Sequence, residues 1–238
     1  MSAFREALAA LAAEAGLPIG ANRLDKMAAY FALLEEANQK FNLTKVIDPA
    51  DAALRHFMDS LARPALDLID GGANVIDVGT GAGFPGLPIA ILRDSVHVVL
   101  LDSMKKRTAF LQSVVDALEL KNVSVVTARA EDYARSPARE RFDFALSRAV
   151  AQLNVLLEYT LPFVRVGGAS LAWKGPAAPD EIAAASKASR ILGGEPPKAH
   201  GYGLPDREQF FIVETKKFRP TPPNFPRKAG KPSAEPLG

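Results

Sequence analysis

The run Val75-Ile-Asp-Val-Gly-Thr-Gly-Ala-Gly-Phe-Pro-Gly86 constrains this chain more than any other stretch. A segment suited to a buried strand gives way, with no polar linker, to glycines at positions 79, 81 and 83. A strand that breaks in this way ends at the ligand-binding edge of an open α/β sheet. There bare backbone can approach a bound group, and a following helix N-terminus can receive negative charge. The loop alone does not name the ligand. Gly81-x-Gly83-x-x-Gly86 also satisfies the dinucleotide spacing, so an NAD-dependent oxidoreductase and a methyltransferase both fit it.

The surrounding pattern sets the fold class. Apolar runs at 74–78, 96–101, 123–127, 142–147 and 169–173 read as strands, and 103–118 and 149–163 carry helical spacing between them. This alternation predicts an α/β fold with a mostly parallel, doubly wound sheet. Gly167-Gly168 reads as a turn, 176–192 as a further helix, and 209–216 as a last strand reached through Gly/Pro-rich turns. Ahead of the sheet, 3–15 and 22–40 read as helices; Leu24, Met27, Phe31, Leu34 and Phe41 recur on one face of the second and are expected in the core. Asp48-Pro49-Ala50-Asp51 supplies an N-cap, a proline at the first helical position and an acidic first turn for a helix to about residue 62. On that helix Arg55 and Asp59 stand four apart, as do His56 and Ser60, so each pair is expected on a shared face. The expected division is a helical extension at 1–65, a core at 66–218 and a tail at 219–238.

Composition limits the chemistry. At 238 residues and 48% hydrophobic content the chain can bury one substantial core. It has no cysteine, and its histidines (His56, His97, His200) are scattered, so thiolate nucleophiles and disulfides are excluded and no metal site is expected. The N-terminal residues fit neither a signal peptide nor a membrane span, which places the chain in the cytoplasm by default. Charge is unevenly spread: residues 216–238 carry six cations against Glu235 alone, a net +5, while the rest sums to −3. Such a Pro-rich tail suits a polyanion, whose phosphates release counterions when neutralised, and equally suits an extended or partly disordered, solvated terminus.

Three features bear on the ligand. Asp77 followed by glycines at 79, 81 and 83 starts its register at the strand end, which is the methyltransferase spacing. Asp102 ends the second strand 25 residues later, placed to accept ribose hydroxyls of either cofactor. Ala130-Glu131-Asp132 follows the third strand, where a methyltransferase would lay its adenine and where a solvated acidic loop is the plain alternative. A pyrimidine C5 methyltransferase would need a cysteine nucleophile. Amino-group methylation would call for a Pro-Pro-aromatic motif after the fourth strand, where this chain reads Ser147-Arg148-Ala149-Val150. Guanine N7 carries its own lone pair, so methyl transfer to it requires positioning and electrostatics without a base.

Taken together, Asn42-Leu-Thr44, Arg55-His-x-x-Asp59-Ser-Leu61, the run from Asp77 to Pro88, and Leu101-Asp-Ser-x-x-Lys-Arg107 with Phe110-Leu111 carry a resemblance. It continues through Arg129-Ala-Glu131, Ser147-Arg-Ala149, Lys174-Gly175 and Phe225-Pro-Arg-Lys-Ala-Gly230 to Pro236-Leu237. With these motifs the chain resembles the ribosomal RNA small subunit methyltransferase G family, also called glucose-inhibited division protein B. The resemblance implies a class I methyltransferase fold, S-adenosylmethionine as cofactor and N7 methylation of guanine-527 in 16S rRNA, free or in the small subunit; a monomer is the default expectation, because the sequence shows no coiled-coil seam or long exposed edge strand. By position the resemblance implies that Gly79, Gly81, Phe84, Asp102, Ala130, Glu131 and Arg148 bind the cofactor. Phe84 stands where the family often has leucine, and the longer loop at 133–141 is a second departure, expected to alter RNA entry. Arg55, His56 and Asp59 are the catalytic candidates, Asp59 as a carboxylate facing the cationic methylated base or as a structural partner of Arg55. Lys105, Lys106, Arg107, Arg227 and Lys228 are the candidate RNA-contacting cations. An NAD-dependent oxidoreductase and a non-catalytic rRNA-binding assembly factor are the rival readings.

Overall fold

The computed structural model of the chain describes residues 2–205 and 207–238. The strand that runs into the glycines, Asn74–Val78 (β1), is buried from its second residue onward and pairs in parallel with His97–Asp102 (β2) on one side and Phe142–Arg148 (β4) on the other. Val123–Thr127 (β3) extends the sheet beyond β2, and Val164–Lys174 (β5) extends it beyond β4. Arg207–Lys216 (β7) then runs antiparallel to β5, with Lys198–Leu204 (β6) at the far edge, giving the order β3-β2-β1-β4-β5-β7-β6. The chain winds outward from β1 to β3 and returns to β4 on the other side, so a crevice opens at the carboxyl ends of β1 and β4.

Gly86–Leu92 (α5) and Lys105–Ala117 (α6) cover one flank of the sheet, and Ala130–Tyr133 (α7), Leu153–Thr160 (α8) and Ala178–Leu192 (α9) follow later strands. Ahead of the sheet come Ser2–Glu14 (α1), Ala21–Phe41 (α2), Pro49–Ala52 (α3), a π-helical turn Ala53–Met58, and Arg63–Leu68 (α4). Asp48 caps α3 as its tetrapeptide predicts, accepting from the N–H groups of Ala50 and Asp51. These helices share the main core with the sheet. Phe4 stacks on Phe31 at 4.4 Å and meets Phe57 edge-on at 4.8 Å, while Tyr30 and Phe57 each reach Phe84 of the glycine loop at 5.3 Å. The Tyr30 hydroxyl donates to the Ala82 carbonyl. At Gly83 a β-carbon would stand 2.6 Å from both that hydroxyl and Leu87, so only glycine lets the extension press this closely on the loop.

Several expectations are corrected. Gly167-Gly168 lie inside β5 and not in a turn, because both exchange backbone hydrogen bonds with Lys217. The Gly/Pro-rich stretch expected as turns contains β6, which pairs with β7. Phe41, expected in the core, ends α2 at 46% exposure. The tail is tied to the body of the protein at several points, although most of its residues are exposed. Phe225 packs into a second core under α8 and α9, the Arg139 guanidinium donates to the carbonyls of Thr221, Pro222 and Phe225, and Arg135 donates to that of Pro226. The loop at 133–141 thus grips the tail; its expected effect was on RNA entry.

Lys217 fixes the start of this tail. Its ammonium is fully buried and donates to Glu140 Oε1 at 2.7 Å and to the carbonyls of Leu161 and Val164 at 2.8 and 2.7 Å, using all three protons. Glu140 accepts in addition from the Thr221 N–H. Lys217→Met leaves a carboxylate and two carbonyls without their donor, so urea unfolding should register a loss of about 3–5 kcal/mol. Adding Glu140→Gln should recover part of that loss, since the uncompensated charge is then gone.

Candidate active site

Asp77 builds the loop rather than the cleft. Fully buried, it accepts at Oδ2 from Thr80 Oγ1 at 2.7 Å and from the Gly86 N–H at 2.8 Å, folding the glycines back over the end of β1. Burial, partly offset by these donors, pushes its carboxyl up to about 6. Beside this loop lies a cleft of about 380 Å³ walled by Gly79, Asp102, Met104 and Arg107 on one side and by Ala128 to Glu131 and Ala149 to Ala151 on the other. Tyr159 and Ser233 close it.

Asp102 is the organising carboxylate of the cleft. Oδ1 accepts from the Met104 N–H at 2.9 Å, and Oδ2 from the Gly81 N–H at 3.1 Å and Arg107 at 3.3 Å. A carboxylate offers roughly four acceptor positions, so capacity remains for a hydroxyl donor. Glu131 opens α7 in the opposite wall, 3% exposed, and accepts from the Gly230 N–H at 3.0 Å. Gly81 reaches the cleft through its bond to Asp102, whereas Gly79 and Ala130 line it directly.

A second depression of about 510 Å³ adjoins the first. Arg55, His56, Asp59, Arg148, Trp173 and Tyr202 line it, and Ala149 belongs to both walls. Ala149 has φ 56°, an uncommon conformation for alanine, held by neighbours on both sides. Ser147 Oγ donates to the Val78 carbonyl at 3.0 Å, and Lys174 donates to the Ala151 carbonyl at 2.7 Å while paired with Glu181 at 2.6 Å. Asp59 is the hub of this depression: Oδ2 meets Arg148 at 2.7 Å, Oδ1 accepts from the Tyr202 hydroxyl at 2.6 Å, and its backbone carbonyl accepts from Trp173 Nε1 at 2.8 Å. His56 stacks on Phe84 at 4.7 Å, and its Nε2 lies 2.8 Å from Thr44 Oγ1. Burial, reinforced by the nearby Arg148 charge, lowers its pKa to about 4, so the ring is neutral at pH 7.

The family model for rRNA small subunit methyltransferase G matches residues 23–209. The chain belongs to the rRNA small subunit methyltransferase G family. Its relatives include the ribosomal RNA small subunit methyltransferase G of Leuconostoc citreum, 46% identical over 227 residues, covering 94% of this chain and 95% of that protein. That of Acetivibrio thermocellus is 45% identical, covering 93% and 92%. Among solved structures, a predicted O-methyltransferase of Agrobacterium tumefaciens, Atu636, aligns at TM-score 0.53 with 18% identity over 69% of this chain and 81% of that one. A 16S rRNA (adenine(1408)-N(1))-methyltransferase from Catenulisporales acidiphilia aligns at 0.51 with 15% identity over 66% and 91%. These two likenesses are of fold.

Within this family member, the structure separates residues that the sequence grouped. Gly79, Asp102, Ala130 and Glu131 meet at the cleft. Arg148 does not line it: the guanidinium crosses the Phe84 ring at 5.2 Å to Asp59 in the second depression. Phe84 is likewise in the aromatic cluster beneath that depression and not in the cleft wall. Arg55, His56 and Asp59 do come together, but the Asp59 carboxylate is held by Arg148 and Tyr202, and Arg55 Nε lies 3.3 Å from Asp51. Lys105 and Lys106 are exposed at the start of α6, Lys106 lying 6.0 Å from the Phe41 ring, and Lys228 is exposed on the tail. Arg107 enters the cleft beside Asp102. The Arg227 guanidinium, 17% exposed, is paired with Glu158 at 2.6–3.1 Å. Tyr159, Trp173, Tyr202 and Ser233 were not anticipated; of these Trp173 alone had a local signal, the strand end before Lys174-Gly175. Among the described residues no helix is long and apolar enough to cross a membrane, and no cluster could hold a metal.

The His56 environment has a consequence for stability. With its folded pKa lowered to about 4 from 6.5, the unfolded chain takes up the proton first, so His56 contributes stability that falls away as pH drops from about 6.5 to 4. Asp77, raised to about 6, acts in the opposite direction over an overlapping range and cancels when variants are compared. The stability of the wild type relative to His56→Gln should therefore decrease by up to about 3 kcal/mol over that interval in denaturant titrations. A pH-independent difference would mean that the ring titrates normally.

Proposed function

We propose that this chain transfers a methyl group from S-adenosylmethionine to N7 of guanine-527 in 16S rRNA, acting as a monomer on the RNA or the small subunit in the cytoplasm. The observation that carries the reading is the meeting of two depressions at Ala149, on the carboxyl end of β4: one has the form of a cofactor cleft, the other adjoins it with room for a base. The donor set of the first fits the cofactor. Asp102, preset by three donors, accepts from the ribose hydroxyls; Gly79 and the backbone of the loop take the amino-acid end; Ala130 and Glu131 flank the adenine. When bound, S-adenosylmethionine supplies an electrophilic methyl group on a sulfonium.

The chain's own residues then have to hold the acceptor atom in line, because guanine N7 already presents a lone pair and no proton must leave first. His56, with its pKa lowered to about 4, is a weak base and is suited to a wall more than to proton removal in this depression. Asp59 acts as a positioning residue: with its charge balanced by Arg148, it sets the orientation of Arg148 and Tyr202 at the base. Asp59→Ala should lower kcat on rRNA by more than about tenfold through the released Arg148, while leaving the dissociation constant for S-adenosylmethionine within about twofold, because Asp59 lies outside the cleft. Equal loss of both would place Asp59 in the fold alone.

The reading itself is tested by incubating the protein with methyl-labelled S-adenosylmethionine and small ribosomal subunits from cells lacking the activity, then mapping the modified nucleotide. N7-methylguanine at position 527 is the expected outcome. Binding of S-adenosylmethionine with no label in the RNA would favour the assembly-factor reading, and preferential binding of NAD would restore the oxidoreductase.

A further inference from the structure

We propose that the C-terminal strap, residues 227–234, is a working part of the cofactor site: it holds the Glu131 carboxylate in place to read the exocyclic amine of adenine. The inference rests on reading the cleft as the S-adenosylmethionine site with its adenine end at Glu131. Three observations carry it. Glu131 is 3% exposed, and its carboxylate accepts from the Gly230 N–H at 3.0 Å, a partner 99 residues away. Tyr159 and Ser233 both line the cleft and are bonded to each other at 2.8 Å, so the strap forms the wall beside that carboxylate. The strap is also anchored independently of the cleft: the Arg227 N–H and guanidinium both bind Glu158, which is fully buried, and Phe225 enters the core beneath α8 and α9.

A buried carboxylate without donors is poorly tolerated, so Glu131 takes the orientation that its donor imposes. Adenine presents an N–H donor at its exocyclic amine, and hypoxanthine presents a carbonyl oxygen there. A carboxylate fixed against that edge binds the first and repels the second, whereas a carboxylate free to swing discriminates less. Gly230 makes the arrangement testable. Its φ of +84° favours glycine, yet a β-carbon built there would meet nothing within 4 Å. Gly230→Ala therefore strains its own backbone and disturbs the direction of one N–H, without pressing on any neighbouring group.

The experiment is calorimetric titration of full-length protein with S-adenosylhomocysteine and with its hypoxanthine analogue, S-inosylhomocysteine. The wild type should prefer the adenine ligand by about tenfold or more. In Gly230→Ala the adenine ligand should weaken about tenfold while the hypoxanthine ligand stays within about twofold, collapsing the preference. Tyr159→Phe, which removes only the hydroxyl that holds Ser233, should give a smaller shift of the same kind and serves if Gly230→Ala fails to fold. Equal weakening of both ligands, or no change in either, would overturn the proposal and leave the strap as packing. Failure of the wild type to bind either ligand would overturn the cofactor reading beneath it.

Discussion

Asp59, through its carboxylate and its backbone carbonyl, ties the helical extension to three strands. Its carboxylate meets Arg148 at the end of β4 and Tyr202 on β6, and its backbone carbonyl meets Trp173 at the end of β5. Arg148 and Asp59 are 16% and 13% exposed, so neither ion is fully solvated, and removing one would leave the other charged in a partly dry pocket. The contact fixes where the extension sits over the sheet. On the same helical segment His56 stacks on Phe84 of the glycine loop. Within the extension Phe4 packs on both Phe31 and Phe57.

Helical spacing pointed to an Arg55–Asp59 pair, and the reason the carboxylate is held elsewhere is local geometry. Residues four apart face one another in an α-helix, and Ala53–Met58 forms a π turn, bonded from i to i+5, which interrupts that register between Arg55 and Asp59. Arg55 lies against Asp51, four residues on its N-terminal side. The Asp59 carboxylate meets Arg148 and Tyr202 from the sheet. A short-range pattern cannot report this, because Arg148 and Tyr202 lie 89 and 143 residues away in the chain.

The same distinction explains what was legible in the sequence. β1, the second half of β5 and the glycine loop were readable because burial leaves an apolar run that ends abruptly, a signal contained within a dozen residues. Asp102 and Glu131 were readable because the first ends β2 and the second lies four residues beyond β3. β6 was not, since its edge position and the glycines at 201 and 203 weaken the alternation that marks a strand. Ser233 carried no local signal at all: its place at the cleft is set by Glu158, Glu131 and the arginines at 135 and 139, all distant in sequence.

Charge along the chain is a poor guide to charge on the surface for the same reason. The +5 of residues 216–238 suggested a free basic arm, yet Lys217 is buried against Glu140, Arg227 against Glu158, and Lys216 lies 3.8 Å from Glu214. These acids come from the part of the chain that carries the net −3, so folding cancels across the two segments much of what the sequence separates. The exposed cations are therefore fewer than the sequence count suggests, and they are not confined to the tail. Lys105 and Lys106 are exposed where α6 begins and line one depression with Lys40 and the exposed ring of Phe41, Lys106 lying 6.0 Å from that ring. Phe41 was expected to support the core; at the end of α2 its ring lies among these cations instead.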